Sequence, residues 1–405
     1  MTSRSSTARF LFYRRALIVF AAAVFVVPRA VGLIVWNEGR EKLTVHADYG
    51  INYDSNLLAR VGSPGDVNQS LELGAGYTRK AGELGFSASA SIVTARFQRF
   101  SSLNFANPGL NAQLTKDDGR LTGSLNVSAQ RESKSDDAAN YRATSWNYSA
   151  ALDLKYPIND RYYLTSTTDI TIRDYTANTP LYNLSSYGEG IDLYYVYSSK
   201  LDVLGGYRIR DGYAAIGAST FDGIPGGGPS TLGQSYTKTQ DEAFTIGCTG
   251  AILPKLSGTL RGGYQTRNES GTDGGHYSDL TGAFMLAWPM SKRIVFNFQT
   301  SEDFTTTATD ISVDATSFDI SATIKPNYRV KVAVTGEAGY TISRFLGIKG
   351  GGRIDHTMSF LLKLSVPIKT HFAASLSLGY LTNDSDYSFS KYDRLTAALD
   401  LSVHY

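Results

Sequence analysis

The chain has 405 residues, 42% hydrophobic, 19% charged and 12% aromatic, with 39 Gly, 11 Pro and one Cys, which excludes a disordered chain, a collagen and a disulfide scaffold. Its formal charge of +2 hides an uneven split: residues 1–32 carry Arg4, Arg9, Arg14, Arg15 and Arg29 and no acid, while the rest holds 34 basic against 37 acidic residues, or −3. A mildly acidic chain lacks the basic excess that neutralises phosphates, so nucleic acid is not an expected partner.

The N-terminus comes first. Four arginines lie within residues 1–15, an uncharged run fills 16–27, and Pro28 and Arg29 break it ahead of the small residues Ala30 and Gly32. This is the layout of a secretory signal peptide cut after Gly32, leaving 33–405 as the mature chain. A membrane anchor would need about twenty apolar residues, and extending this run to Trp36 buries Arg29. No later segment reaches eighteen apolar residues, so membrane residence of the mature chain must be as β-structure.

From Leu43 onward the sequence alternates with a period of two. Leu43, Val45, Ala47, Tyr49, Ile51 and Tyr53 face away from Thr44, His46, Asp48 and Asn52. The pattern recurs in Trp146, Tyr148, Ala150, Leu152, Leu154 and Tyr156, in Met358, Phe360, Leu362, Leu364 and Val366, and in Phe372, Ala374, Leu376, Leu378 and Tyr380. It closes the chain in Leu395, Ala397, Leu399, Leu401, Val403 and Tyr405. Such strands set one face against grease and the other against water.

Tight connectors at 80–82, 116–119, 156–160, 198–200, 253–255, 288–291, 325–327 and 367–369 are rich in Pro, Gly, Asn and Asp. They alternate with long ones at 55–66, 99–106, 132–140, 176–186, 214–235, 270–276, 305–311, 343–352 and 383–389. Short periplasmic turns alternating with long outer loops predict an all-β, antiparallel, up-and-down transmembrane β-barrel of about eighteen strands in a bacterial outer membrane. The fourth strand, around 107–116, reads weakly and leaves sixteen as the alternative count. A water-soluble sandwich seldom sustains paired strands this long with aromatic ends.

Inward parity collects charges that lipid would not tolerate. Among them Arg173, Arg208, Arg210, Arg261 and Arg267 fall toward the outer ends of the seventh, ninth and eleventh strands. Arginine suits bidentate contact with carboxylate, sulfate or phosphate, so these residues are candidates for a positive, pore-lining track. The competing expectation is internal pairing with Asp153, Asp169, Asp192 and Asp279. A lumen of eighteen strands is too wide for side chains to fill, and an infolded loop is one way to narrow it. The glycine-rich segment 214–235 is the longest loop. Cys248 alternates with Phe244 and Ile246 and is expected to face lipid, unpaired.

Catalytic signals are sparse. The five histidines have no metal spacing, and no Walker, HExxH or GxSxG motif occurs, so neither a cofactor nor an activity is expected. An outer-membrane lipase or protease is the enzyme alternative, with His276 near Asp273 and His356 near Asp355 as the only nearby pairs.

The first strand runs into Tyr53, Asp54, Ser55 and Asn56 at the mouth of the first outer loop, and the chain ends on an aromatic residue. In this tail and in its overall layout the chain resembles the β-barrel porin 2 family. The resemblance implies an outer-membrane barrel associated with exopolysaccharide biosynthesis and export, with the glycan and its periplasmic secretion machinery as partners. The C-terminal Tyr405, with apolar residues at alternate positions behind it, similarly resembles the signal read by the barrel-assembly machinery. The expected function is therefore a porin-like conduit for exopolysaccharide or another glycan or solute. The alternative is a structural or docking barrel with its lumen closed by loops.

Overall fold

The structure, a computed structural model, describes residues 33–36, 40–176, 181–216, 236–270, 274–310, 312–326, 332–347 and 352–404. The expected signal peptide, most of the glycine-rich loop, Asp273 and Tyr405 lie outside the described residues. In chain order the strands are β1 (Leu33–Trp36), β2 (Glu41–Asp54), β3 (Asp66–Ala81), β4 (Leu84–Phe97), β5 (Phe105–Lys116) and β6 (Thr122–Asp136). Next come β7 (Tyr141–Pro157), β8 (Tyr162–Tyr175), β9 (Tyr182–Ser198), β10 (Leu201–Ile216), β11 (Tyr236–Leu253) and β12 (Leu256–Ser270). The last are β13 (His276–Trp288), β14 (Ile294–Thr305), β15 (Val313–Ile324), β16 (Ala333–Phe345), β17 (Ile354–Lys369), β18 (Phe372–Ser385) and β19 (Tyr392–His404).

From β2 to β19 every strand pairs antiparallel with its sequence neighbours, and β19 pairs with β2, so eighteen strands close a ring. Each expected connector marks a junction between two strands, although β17 runs on through 367–369 and β6 through 132–136 before the chain turns. The fourth barrel strand, faint in sequence, is β5. Its weakness traces to Pro108, which has no N–H to give, and the β5–β6 ladder accordingly begins at Gly109. Tight turns gather at one end, the periplasmic end of such barrels.

Exposure is inverted relative to a soluble protein. Ile246 (76%), Leu280 (70%) and Phe244 (63%) lie bare on the outer wall, while Arg267 and Gln265 are 1% exposed. Only a lipid solvent makes this distribution stable. Cys248 follows Phe244 and Ile246 in parity and is a free thiol. Aromatic groups mark the turn end of the wall: Trp36 stacks on Tyr77 at 6.1 Å, Tyr162 meets Tyr195 at 5.2 Å, and Trp288 meets Phe296 at 5.7 Å. Rings with one wet and one greasy side settle at headgroup level.

The closing seam is reinforced by Asp54, Ser55 and Asn56, at the mouth of the first outer loop. Arg394 on β19 donates two hydrogen bonds to Asp54, at 3.0 and 2.7 Å. Ser55 N–H donates to the Leu395 carbonyl at 2.9 Å, and Leu395 N–H donates to Ser55 Oγ at 2.7 Å. Asn56 N–H returns to Asp54 Oδ1, and the Asn56 amide donates to the carbonyls of Arg60 and Asp393. The cluster starts a turn, as its residue types suggest, and also fastens the first barrel strand to the last. At the other end of the seam the β19 ladder stops at His404 opposite His46, and β1 pairs with residues 41–44 of β2 to continue that edge. Arg394→Ser leaves the Asp54 carboxylate buried without its cation, and is expected to destabilise the barrel by about 3 kcal/mol. The check is the temperature at which the compact, heat-modifiable band on a detergent gel converts to the unfolded one, which should fall.

Candidate functional site in the lumen

Besides the β5–β6 ladder, which stops at Gly109 opposite Gln130 while β6 runs on to Asp136, the described wall also parts between β13 and β14. The β13–β14 ladder ends where Gly282 meets Glu302, although β13 continues to His276 and β14 to Thr305. The β14–β15 ladder, in contrast, runs intact to Thr305 opposite Val313. Beyond Gly282 the β14–β15 hairpin therefore parts from β13 and tips into the barrel, while β15 remains paired with β16 from Val313 to Ile324.

Side-chain contacts give its destination. Asp303 on β14 accepts from Arg208 on β10 at 2.8 Å and from Arg210 at 3.3 Å. Along the wall these strands are four spacings apart, about 19 Å, far beyond the combined reach of an Arg and an Asp. Only a hairpin leaning into the lumen brings them together. Phe304 N–H donates to Gln265 Oε1 at 3.3 Å, Arg267 donates to the Thr305 carbonyl at 2.6 Å, and the Arg267 guanidinium lies 5.4 Å from the Phe304 ring centre. Gln265, Arg267 and Phe304 are at most 2% exposed and form the seam between tip and wall.

Other outer loops interlock above the tip. Tyr182 N–H donates to the Ala308 carbonyl at 2.9 Å, and Leu346 N–H donates to that of Ser312 at 2.8 Å. The Ala138 carbonyl, on the β6–β7 loop, accepts from Arg353 at 2.7 Å and from Thr309 at 3.5 Å. Asn140, in the left-handed region at φ 52°, donates to the Ala59 carbonyl at 2.5 Å and accepts from Ser390 Oγ at 2.6 Å. Loops from opposite sides of the barrel thus meet over the mouth. Burial among them raises the pKa of the neighbouring Asp137 carboxyl, and the charge of Arg394 offsets part of that rise. The middle of the mouth consequently sheds negative charge more readily than a free aspartate would.

The five arginines of the candidate track occupy one side of the lumen, on β8, β10 and β12. Arg261 grips Asp192 with two hydrogen bonds at 3.0 and 2.8 Å. The others meet acids outside the expected set. Arg173 donates to Asn147 at 2.9 Å and lies 3.8 Å from Glu132. Arg210 reaches Asp241 at 2.7 Å as well as Asp303, and Arg267 binds Asp241 at 2.6 and 2.8 Å. The run Arg208, Asp303, Arg210, Asp241, Arg267 holds three guanidiniums to two carboxylates and so carries a net +1.

Of the remaining expected partners, Asp153 is exposed on the inner face between Ser124 and Thr167, with no ion pair among the described residues. Asp279 sits with Glu302 and Asp314, their carboxylates within 4.8 Å of one another. Asp169 lines a polar cavity of about 530 Å³ with Asn147, Arg173, Arg210, Arg267 and the tip residue Thr305. The cavity is bounded on one side by the hairpin and on the other by the arginine wall.

Glu132, Asp241 and Asp303 lie outside the candidate set, although parity contains the signal for both aspartates. Phe244 and Ile246 point outward, which turns Asp241 inward, and Phe296 and Phe298 do the same for Asp303. Segment 132–140 reads as a loop, whereas β6 carries Glu132 and extends to Asp136. Of the residues considered for hydrolysis, His356 pairs with the Tyr340 hydroxyl at 2.7 Å and His276 with Asn268 at 2.6 Å, while Asp355 is bound by Arg353.

Compared by sequence, the chain matches no protein-family model and no curated protein. Compared by structure, it is similar to outer-membrane barrels. The outer membrane protein OpdK of Pseudomonas aeruginosa aligns over 90% of this chain and 99% of its own, at 9% identity and a TM-score of 0.52. OpdO of Pseudomonas aeruginosa aligns over 90% and 97%, at 10% identity and a TM-score of 0.49. The FrpB iron transporter of Neisseria meningitidis (F3-3 variant) aligns over 84% of this chain at 10% identity and a TM-score of 0.47, and this chain spans only 62% of its length. At these identities the likeness establishes the fold, and the chain is a bacterial outer-membrane β-barrel.

Proposed function

We propose that the barrel is a selective channel for glycans or similar polar solutes, with exopolysaccharide the favoured cargo. The observation that carries this reading is the lumenal cavity, lined by hydroxyl, amide and guanidinium groups and only partly filled by the protein's own hairpin. Sugars present hydroxyls to such walls, and the arginines add affinity for acidic substituents. The resemblance through Tyr53, Asp54, Ser55 and Asn56 supports the choice of an extracellular polysaccharide, and export would require periplasmic secretion machinery as a partner.

A second reading rests on the interlocked loops. A mouth bridged by Asn140, Ala59, Ser390 and Ala138 also suits a docking barrel that conducts nothing. Planar-bilayer recording separates the two: a channel gives stepwise conductance on insertion of the full chain, whereas a docking barrel inserts silently.

Charge selectivity is a further consequence. Replacing Arg208, Arg210 and Arg261 together with Ser removes three positive charges from the wall. In a salt gradient the reversal potential is expected to move toward the cation-selective side, and an unchanged potential would remove the arginines from the conduction path.

A further inference from the structure

We propose that Arg208 and Arg210 form a binding site for the carboxylate of an acidic sugar, and that Asp303 fills this site in the closed state. A solute carboxylate then frees the β14–β15 hairpin by exchange. The sugar part of this inference rests on the glycan reading above.

Asp303 is not a wall partner of these arginines. It reaches them from four strands away because its hairpin leans into the lumen. The Arg208 side chain keeps 41% of its surface open and that of Arg210 21%, so both guanidiniums remain approachable beside an occupied site. Exchanging one carboxylate for another conserves charge. The arginines stay paired throughout, and the step avoids the penalty of an unpartnered cation away from bulk water. Asp303, once released, is hydrated by the lumen.

The surroundings suit such an exchange. The cavity beside the tip, about 530 Å³, is of the order that holds a small ligand, and its hydroxyls and amides match a sugar ring. β14 has no ladder to β13 above Gly282, while β14–β15 and β15–β16 stay paired to their outer ends, so the tip moves by bending this continuous sheet about its ladders rather than by breaking one. Arg267 and Gln265 still hold Thr305 and Phe304 by hydrogen bonds, which keeps the tucked state dominant without solute. Because the solute binds only when Asp303 is out, it shifts the population by its full affinity for the vacated pair.

The test is pulsed electron spin resonance on the full chain in lipid nanodiscs. Nitroxides are placed at Thr309→Cys on the tip and Lys200→Cys at a tight turn, in a Cys248→Ser background. A second tip distance is expected to rise about tenfold in population with Asp303→Asn, or when D-glucuronate is added to the Asp303 protein, but not with glucose. An unchanged distance distribution in both arms overturns the proposal, as does an equal response to glucose. Should Asp303→Asn fail to give the heat-modifiable folded band, the glucuronate arm decides alone. Tip movement without any bilayer conductance would uphold the exchange site and remove the channel reading instead.

Discussion

Inside hydrocarbon no water is available to satisfy a peptide group, so each strand must give its hydrogen bonds to a neighbour and the sheet must have no edge. Everything else in this molecule is arranged around that closure. The place where it is most exposed to failure is the seam, because β2 and β19 are brought together from opposite ends of the sequence. The Asp54–Arg394 pair and the hydrogen bonds of Ser55 and Asn56 secure its outer end, and β1 continues it past His404 at the periplasmic end. A short polar cluster that would pass for turn chemistry is thereby given a long-range task.

The same constraint explains why so much of the architecture was legible from residue order. Alternation in Leu395, Ala397, Leu399 and Leu401 has one meaning when the outer solvent is lipid, and turn chemistry at Gly82 or Pro254 bounds each strand. Parity was informative even where unused, as Asp241 beside Phe244 demonstrates. What parity could not supply is which charges meet. Strand pairing brings together residues one neighbour away, and Arg261–Asp192 already skips past adjacent strands through the curvature of the inner wall. Asp303 meets Arg208 because a ladder stops at Gly282, and nothing in the residues around Gly282 announces that a hairpin parts from β13 there.

Two economies coexist in the lumen. Near Arg261 and Asp192 charges are matched and bidentate, which stiffens the wall. Around Arg210 and Arg267 they are shared, with three cations on two acids, and one of those acids arrives on a strand that has parted from its β13 neighbour. The first arrangement has a single satisfied state, whereas the second has carboxylates that can be replaced by others. That difference separates scaffolding from a site even though both are made of Arg and Asp on the same inner face.

The hairpin also changes what sort of opening the barrel can offer. An empty ring of eighteen strands would present a disc, which admits solutes by diameter. A rib leaning inward from β14 to β10, four strands round the ring, cuts into that disc from one side and leaves a crescent, whose limiting dimension is its gap rather than its span. On the channel reading, such an aperture would sort by thickness, so that a slender polymer threaded end-on would meet the same restriction as a single one of its units.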